Sequence, residues 1–132
     1  MAVAVAFAVP TLSGAEARRA TKTVNVFQRD FHITTPKQLP AGDVVIRLTN
    51  RGPENHEFFL VHAGRGELPM RHDGLTVDED AIQNRVAGNL EAGQSGAVRT
   101  LRVHLRPGRY VMFCNMSGHY LGGMDTDVVV KP

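Results

Sequence analysis

From Thr23 onward apolar and polar residues exchange places with period two, the spacing that sends successive side chains to opposite faces of a strand. Val24 and Val26 share one face, and Phe31 and Ile33 follow after an irregularity near Arg29-Asp30. Pro36 and Leu39-Pro40-Ala41-Gly42 break the run and are expected to turn the chain. Val44, Ile46 and Leu48 then line one side of a strand, with Val45, Arg47 and Thr49 on the other. Asn50-Arg51-Gly52-Pro53 is a turn signal, after which His56, Phe58 and Leu60 share a face. That parity sets His56 at the inward edge of the core, near a strand end. Between Gly64 and Gly93 the alternation lapses, and within it Asp78 to Val86 has its acids first and Arg85 late, which suits a short helix and its dipole. Strands resume from Ala97 to Leu105, where Leu101, Val103 and Leu105 alternate with Arg102 and His104. Arg106-Pro107-Gly108-Arg109 turns the chain, Tyr110 to Phe113 runs into Cys114, and Asp127 to Lys131 is the last strand. The pattern predicts an all-β fold, a Greek-key β-sandwich of six to eight strands with one short helix.

The first residues do not belong to this pattern. Met1 to Val9 are Ala- and Val-rich with one Phe, and Ala15-Glu16-Ala17 follows a Pro10-Thr11-Leu12-Ser13-Gly14 break. An apolar stretch before a small-residue site has the form of a secretory leader, although the positively charged start is missing. It is far shorter than the ~20 residues of a membrane span. Residues 1–17 are therefore expected to be a signal peptide or its remnant, with export to the periplasm or another extracytoplasmic space. Residues 18–132 are expected to form a single domain, long enough for a core without disulfides.

Charge changes the picture little. Fifteen Lys and Arg against 13 Asp and Glu give a formal net charge of +2, with the cations scattered. No dense basic block with interleaved aromatics is present, so nucleic acid is not an expected partner. A mildly basic face for docking an acidic protein fits as well. The single cysteine excludes an internal disulfide. It must be core filler, a nucleophile or a metal ligand, and no oxyanion or substrate apparatus accompanies it.

Its surroundings favour the last of these. Cys114 is followed by His119 and then Met124, with Ser117-Gly118 and Gly122-Gly123 supplying bends between them. A thiolate, an imidazole and a thioether are donors that copper accepts, and His56 is the best upstream candidate for a second imidazole. Met112 and Met116 are competing thioethers, Met112 sharing parity with Cys114. His32, His62, His72 and His104 read as solvated or structural, with His72 beside Met70 a weaker candidate for an additional copper ion.

The segment from Gly108 through Cys114 and His119 to Met124 resembles the ligand loop of the cupredoxins, and Asn55-His56-Glu57-Phe58 resembles their upstream histidine segment. The Cys-x4-His-x4-Met spacing is most similar to the sulfocyanin and rusticyanin type and is longer than the plastocyanin loop. The resemblance covers about residues 23 to 132. It implies a cupredoxin-like sandwich and one copper ion, cycling between Cu(I) and Cu(II), held by His56, Cys114 and His119 with Met124 axial. The Asn that follows the upstream histidine in plastocyanin and azurin is Glu57 here; its backbone N–H remains able to donate to the Cys114 sulfur.

By that resemblance the protein is expected to be a mononuclear type 1 copper carrier of single electrons and not an enzyme. It would work as a monomer between redox protein partners that dock transiently near His119, the ligand expected to be exposed, beside Tyr120, Leu121 and Met116. The competing expectation is a periplasmic copper-binding protein for copper handling or tolerance.

Overall fold

The computed structural model describes residues 21–132, and the expected leader over residues 1–17 lies outside the described residues. In chain order the strands are β1 (Lys22–Arg29), β2 (His32–Thr34), β3 (Gln38–Pro40), β4 (Gly42–Asn50), β5 (His56–His62), β6 (Val86–Gly93), β7 (Val98–Leu105), β8 (Gly108–Phe113) and β9 (Asp125–Lys131). A short helix α1 (Glu79–Ile82) and a 3-10 turn (Gln83–Arg85) precede β6. One sheet has the order β2-β1-β4-β7 and the other β3-β9-β8-β5-β6. Parallel pairing of β1 with β4, and of β3 with β9, shows the chain crossing between sheets instead of returning by a hairpin each time.

The alternating residues meet between the sheets. Val24, Val26, Val44, Ile46, Leu48, Val103 and Leu105 from the first sheet pack against Phe58, Leu60, Tyr110, Met112, Val128 and Val130 from the second. Apolar area removed from water in this layer supplies the main stabilising force, about 25 cal/mol per Å2. Strand β5 is buried on both sides. Its other face, Phe59 and Val61, joins Phe113 and a second cluster of Leu68, Val77 and Ile82 contributed by the segment between β5 and β6. That segment therefore lids the five-stranded sheet. Asp78 caps α1 by accepting from the Ala81 N–H at 3.3 Å, and Ile82 anchors the helix with no exposed surface.

The described residues hold nine strands, more than the alternation suggests, and the difference has physical causes. Leu39 and Pro40 do not break the chain: Gln38–Pro40 runs parallel to Val129–Lys131 as an edge strand, a place where proline's missing donor does no harm. Val86–Gly93 also is a strand, at the opposite edge, half-exposed and so without alternating polarity. Gly88 serves close packing there, since a Cβ would come within 2.8 Å of the Val103 side chain. The irregularity at Arg29-Asp30 is the turn from β1 into the three-residue β2.

Candidate metal centre

Strand β8 carries the chain to Cys114 at the sandwich rim, and from there the loop folds on itself. His119 N–H donates to the Met116 carbonyl at 2.9 Å, Gly122 N–H to Gly118, and Gly123 N–H to Tyr120. The reversals need left-handed backbone at Gly118 (φ 80°) and Gly123 (φ 92°). Gly122 is needed for a different reason: a Cβ there would meet the Phe31 ring at 3.2 Å and the Gly118 carbonyl at 3.3 Å. Met124 closes the loop. Its carbonyl accepts from Cys114 N–H at 3.1 Å and its N–H donates to the His119 carbonyl at 3.0 Å.

His56 arrives on the first residue of β5, next to a bulge in the β5–β6 pairing between His56 and Phe58. Such bulges re-aim side chains beside functional sites. The His56 carbonyl accepts from the Arg99 guanidinium at 3.3 Å, and the Glu57 carbonyl accepts from Gln28 Nε2 at 2.7 Å. Asn50 adds two donations, to the Glu54 carbonyl at 2.8 Å and the Gly93 carbonyl at 3.0 Å. The histidine strand is thus tied to β1 and β7, while Asn50 of β4 holds the turn before it and the end of β6.

Three donor atoms converge in this frame. His56 Nδ1 and His119 Nδ1 are 3.3 Å apart, and Cys114 Sγ lies 3.8 Å from the first and 3.5 Å from the second. A triangle with those sides has its centre about 2 Å from each corner, the length of a metal–imidazole bond and slightly short for a thiolate. All three residues are buried, His119 at 8% exposed. Met124 is fully buried in the same core as Cys114, as is Met112, while Met116 is half-buried against it.

Each imidazole is oriented by a carboxylate on its far nitrogen. His56 Nε2 lies 2.8 Å from Asp30 Oδ1 in the β1–β2 turn, and His119 Nε2 lies 2.9 Å from Glu54 Oε2. With Nε2–H donating outward, the lone pair of each ring is at Nδ1 and faces the triangle. Burial pushes His56 below its ordinary value, opposed by Asp30. Burial also pushes the Cys114 thiol up to about 11, against the backbone N–H groups of Met116 and Glu57 that favour the thiolate. Removing that proton is therefore a task for a bound cation. Two histidines and a cysteine thiolate are the three strong donors of a type 1 copper site.

Against expectation His119 is not open to solvent, because Glu54 occupies its far nitrogen and the Phe31 ring stands edge-on to it at 5.0 Å between centroids. Asp30, Glu54 and Phe31 escaped the sequence reading; isolated residues in turns leave no periodic signal. Asn115, also missed, binds the loop to the lid. Its Oδ1 accepts from Val77 N–H at 2.7 Å, and its Nδ2 donates to the Val77 carbonyl at 3.2 Å and to Glu79 Oε1 at 2.7 Å. The signal available was the Asn immediately after the lone cysteine. His32, His62, His72 and His104 are exposed and lie outside the donor cluster.

No protein-family model matches the sequence, and no curated protein matches it. Solved structures do. Reduced auracyanin from Roseiflexus castenholzii superposes with a TM-score of 0.64 at 18% identity, over 86% of this chain and 99% of that one. Auracyanin A, a "blue" copper protein from Chloroflexus aurantiacus, gives 0.62 at 19% identity over 83% and 98%. Rusticyanin from Thiobacillus ferrooxidans gives 0.60 at 17% identity over 85% and 79%. The shared architecture is the cupredoxin β-sandwich.

Proposed function

Taking the cupredoxin fold as premise, we propose that this protein is a mononuclear type 1 copper protein that carries single electrons between redox proteins. The observation that carries the reading is the triangle of His56 Nδ1, His119 Nδ1 and Cys114 Sγ, whose centre lies about 2 Å from each, the length of a metal–imidazole bond and slightly under that of a metal–thiolate bond. His56, Cys114 and His119 would hold the ion, with Met124 as the weak axial donor. Bound copper supplies the one-electron couple between Cu(I) and Cu(II).

The chain's own groups do the rest. Asp30 and Glu54 fix the two rings with Nδ1 inward, and the dry, packed surroundings limit rearrangement when charge changes. The Glu57 and Met116 N–H groups donate to the sulfur, sharing its negative charge. With Met124 as fourth donor the set would leave no open position for substrate, which favours a carrier over an enzyme. Phe31, Leu75 and Leu121 are 44%, 46% and 59% exposed. Phe31 stacks edge-on to His119, and the Leu75 carbonyl accepts from Gly118 N–H. This apolar rim around the His119 loop suits small, transient docking by a monomer. An extracytoplasmic setting belongs to the same reading and rests on the leader-like composition of residues 1–17.

The test is the visible spectrum of the purified protein with Cu(II), beside Cys114→Ser. An intense thiolate-to-copper band lost in the variant is expected; a colourless wild-type protein overturns the site. Voltammetry separates the two copper roles: a reversible one-electron wave is expected of a carrier, whereas release of copper on reduction points to copper handling.

A further inference from the structure

The two sheets differ in what lies outside them. The β5–β6 segment lids the five-stranded sheet, but the outward side chains of β1, β2, β4 and β7 are exposed or half-exposed. Strand register puts their residues in rows. His32 pairs with Arg29, Asn25 with Arg47 and Arg47 with Thr100, Val45 with Arg102, and Asp43 with His104. Arg51 joins them from just beyond β4, its guanidinium 3.6 Å above the Phe27 ring. Arg29, Arg47, Arg51 and Arg102 therefore share this face with two histidines, and among the described residues its one acid, Asp43, is paired to His104 at 2.7 Å. The lid on the far side carries Glu67, Asp73, Asp78, Glu79 and Asp80 against Arg65, Arg71 and Arg85. A chain with a near-neutral total is thus electrically two-sided.

The cationic face also has relief. A depression of about 250 Å3 is lined by Phe27, Gln28, Arg29, His32, Thr34 and Arg51. It adjoins the metal centre through the chain itself: Arg29 precedes Asp30, whose carboxylate holds His56 Nε2. Guanidinium groups with free donors beside a threonine hydroxyl recognise carboxylates by paired hydrogen bonds.

We propose that this face, centred on the Arg29–His32–Arg51 depression, docks an acidic protein partner, one presenting a cluster of Asp and Glu side chains. The proposal deepens the electron-carrier reading by giving the redox partner a charge and a place, on the His56 side of the centre. Four arginines on one face steer an acidic partner before contact, and the gain in association rate falls with ionic strength. The carboxylates enter the depression while Asp30, one residue away, remains committed to His56.

The test uses the full protein, with and without copper, and two anionic probes. Hexacyanochromate(III) is titrated against the nitrogen-15 labelled protein. Paramagnetic broadening is expected first at Arg29, His32, Thr34 and Arg51; first broadening at the lid, or none at low salt, overturns the proposal. A short Glu-rich peptide is then titrated against wild type, Arg29→Glu/Arg51→Glu, and the equal-charge control Arg65→Glu/Arg71→Glu. Peptide affinity is expected to fall on the order of tenfold in the first variant and to hold in the control. Equal losses in both variants mean net charge alone and overturn the assignment. Tighter binding to phosphatidylglycerol vesicles than to the peptide overturns the protein partner in favour of a membrane, and self-association in sedimentation overturns it in favour of a second copy. Copper-free and copper-loaded protein are expected to bind alike, so failure to bind copper and failure to bind the probes are separate results.

Discussion

His56 and His119 present the same nitrogen to the same point and are held by different means. His56 has no exposed surface; its carbonyl is gripped by Arg99, that of Glu57 beside it by Gln28, and its ring by Asp30, which is only 20% exposed. His119 stands on a loop bonded to itself and, through Asn115, Gly118 and Tyr120, to the lid. Its ring is held by Glu54, 53% exposed and reaching in from solvent. One ligand is a post built into both sheets, the other an arm on a tether. The buried hydrogen bonds on the His56 side are worth more than the screened contact on the His119 side, because water competes for the latter. Geometry at the centre is accordingly set by His56 and Cys114, while His119 is the ligand able to yield.

The largest test of that contrast is the tether. Asn115→Ala removes three hydrogen bonds between the ligand loop and the lid and leaves the Val77 backbone groups buried without partners. A loss of about 2–4 kcal/mol is expected in urea unfolding. An unchanged midpoint would mean that the loop holds itself.

Next come the two carboxylates. Asp30→Ala is expected to weaken copper binding by about 10–100-fold in chelator competition, the usual cost of losing a ring-orienting partner. Glu54→Ala should cost less, being exposed. If Glu54 proves the more damaging, the post and the arm have been assigned the wrong way round.

Glu57 shows that the rigid side also bears a penalty. Burial, with Glu79 and Glu91 nearby, raises its carboxyl above the ordinary value, and its Oε2 has no hydrogen-bond partner. Because the folded-state value is raised, ionisation opposes folding. The penalty is absent below the unfolded value of about 4.5 and grows as pH climbs through the folded one. Glu57→Gln is therefore expected to melt higher than wild type at neutral pH, with the gap closing in acid. A gap independent of pH would exclude ionisation as its source.

The smallest effect is expected at Phe31. Phe31→Ala uncovers the His119 edge and should speed electron exchange with a small outer-sphere oxidant by less than about tenfold, or 1.4 kcal/mol of barrier. A slower exchange would make the ring part of the electron's route.

The strands that flank the centre were legible because each has one wet and one dry face: Val44-Ile46-Leu48 and Leu101-Val103-Leu105 declare themselves by alternation. Strand β6 does not, since an edge strand half in water has no reason to alternate, and Gly88 looks like a breaker until the approach of Val103 is known. The convergence of His56, Cys114 and His119 could be read from chemistry and spacing, since few residue types make soft metal donors. The second rank of the site could not. Asp30 and Glu54 matter through one side-chain contact each, made across 26 and 65 positions of chain, and Asn115 through contacts with Val77 and Glu79, 38 and 36 positions away. Glu57 offers no side-chain tie after His56; Gln28 holds its carbonyl, and Asn115 binds the ligand loop to the lid.

The separation of 58 positions from His56 to Cys114 has a consequence for the life history of the molecule. No chain that stops short of β8 and its loop contains the site, because β5 and β8 must pair before a thiol and two imidazoles meet. Copper would then be a late arrival that enters a finished shell. Entry requires that some part of the shell give way, and the tethered arm with its single surface glutamate is the door. How quickly the protein matures would depend on how often Glu54 lets go.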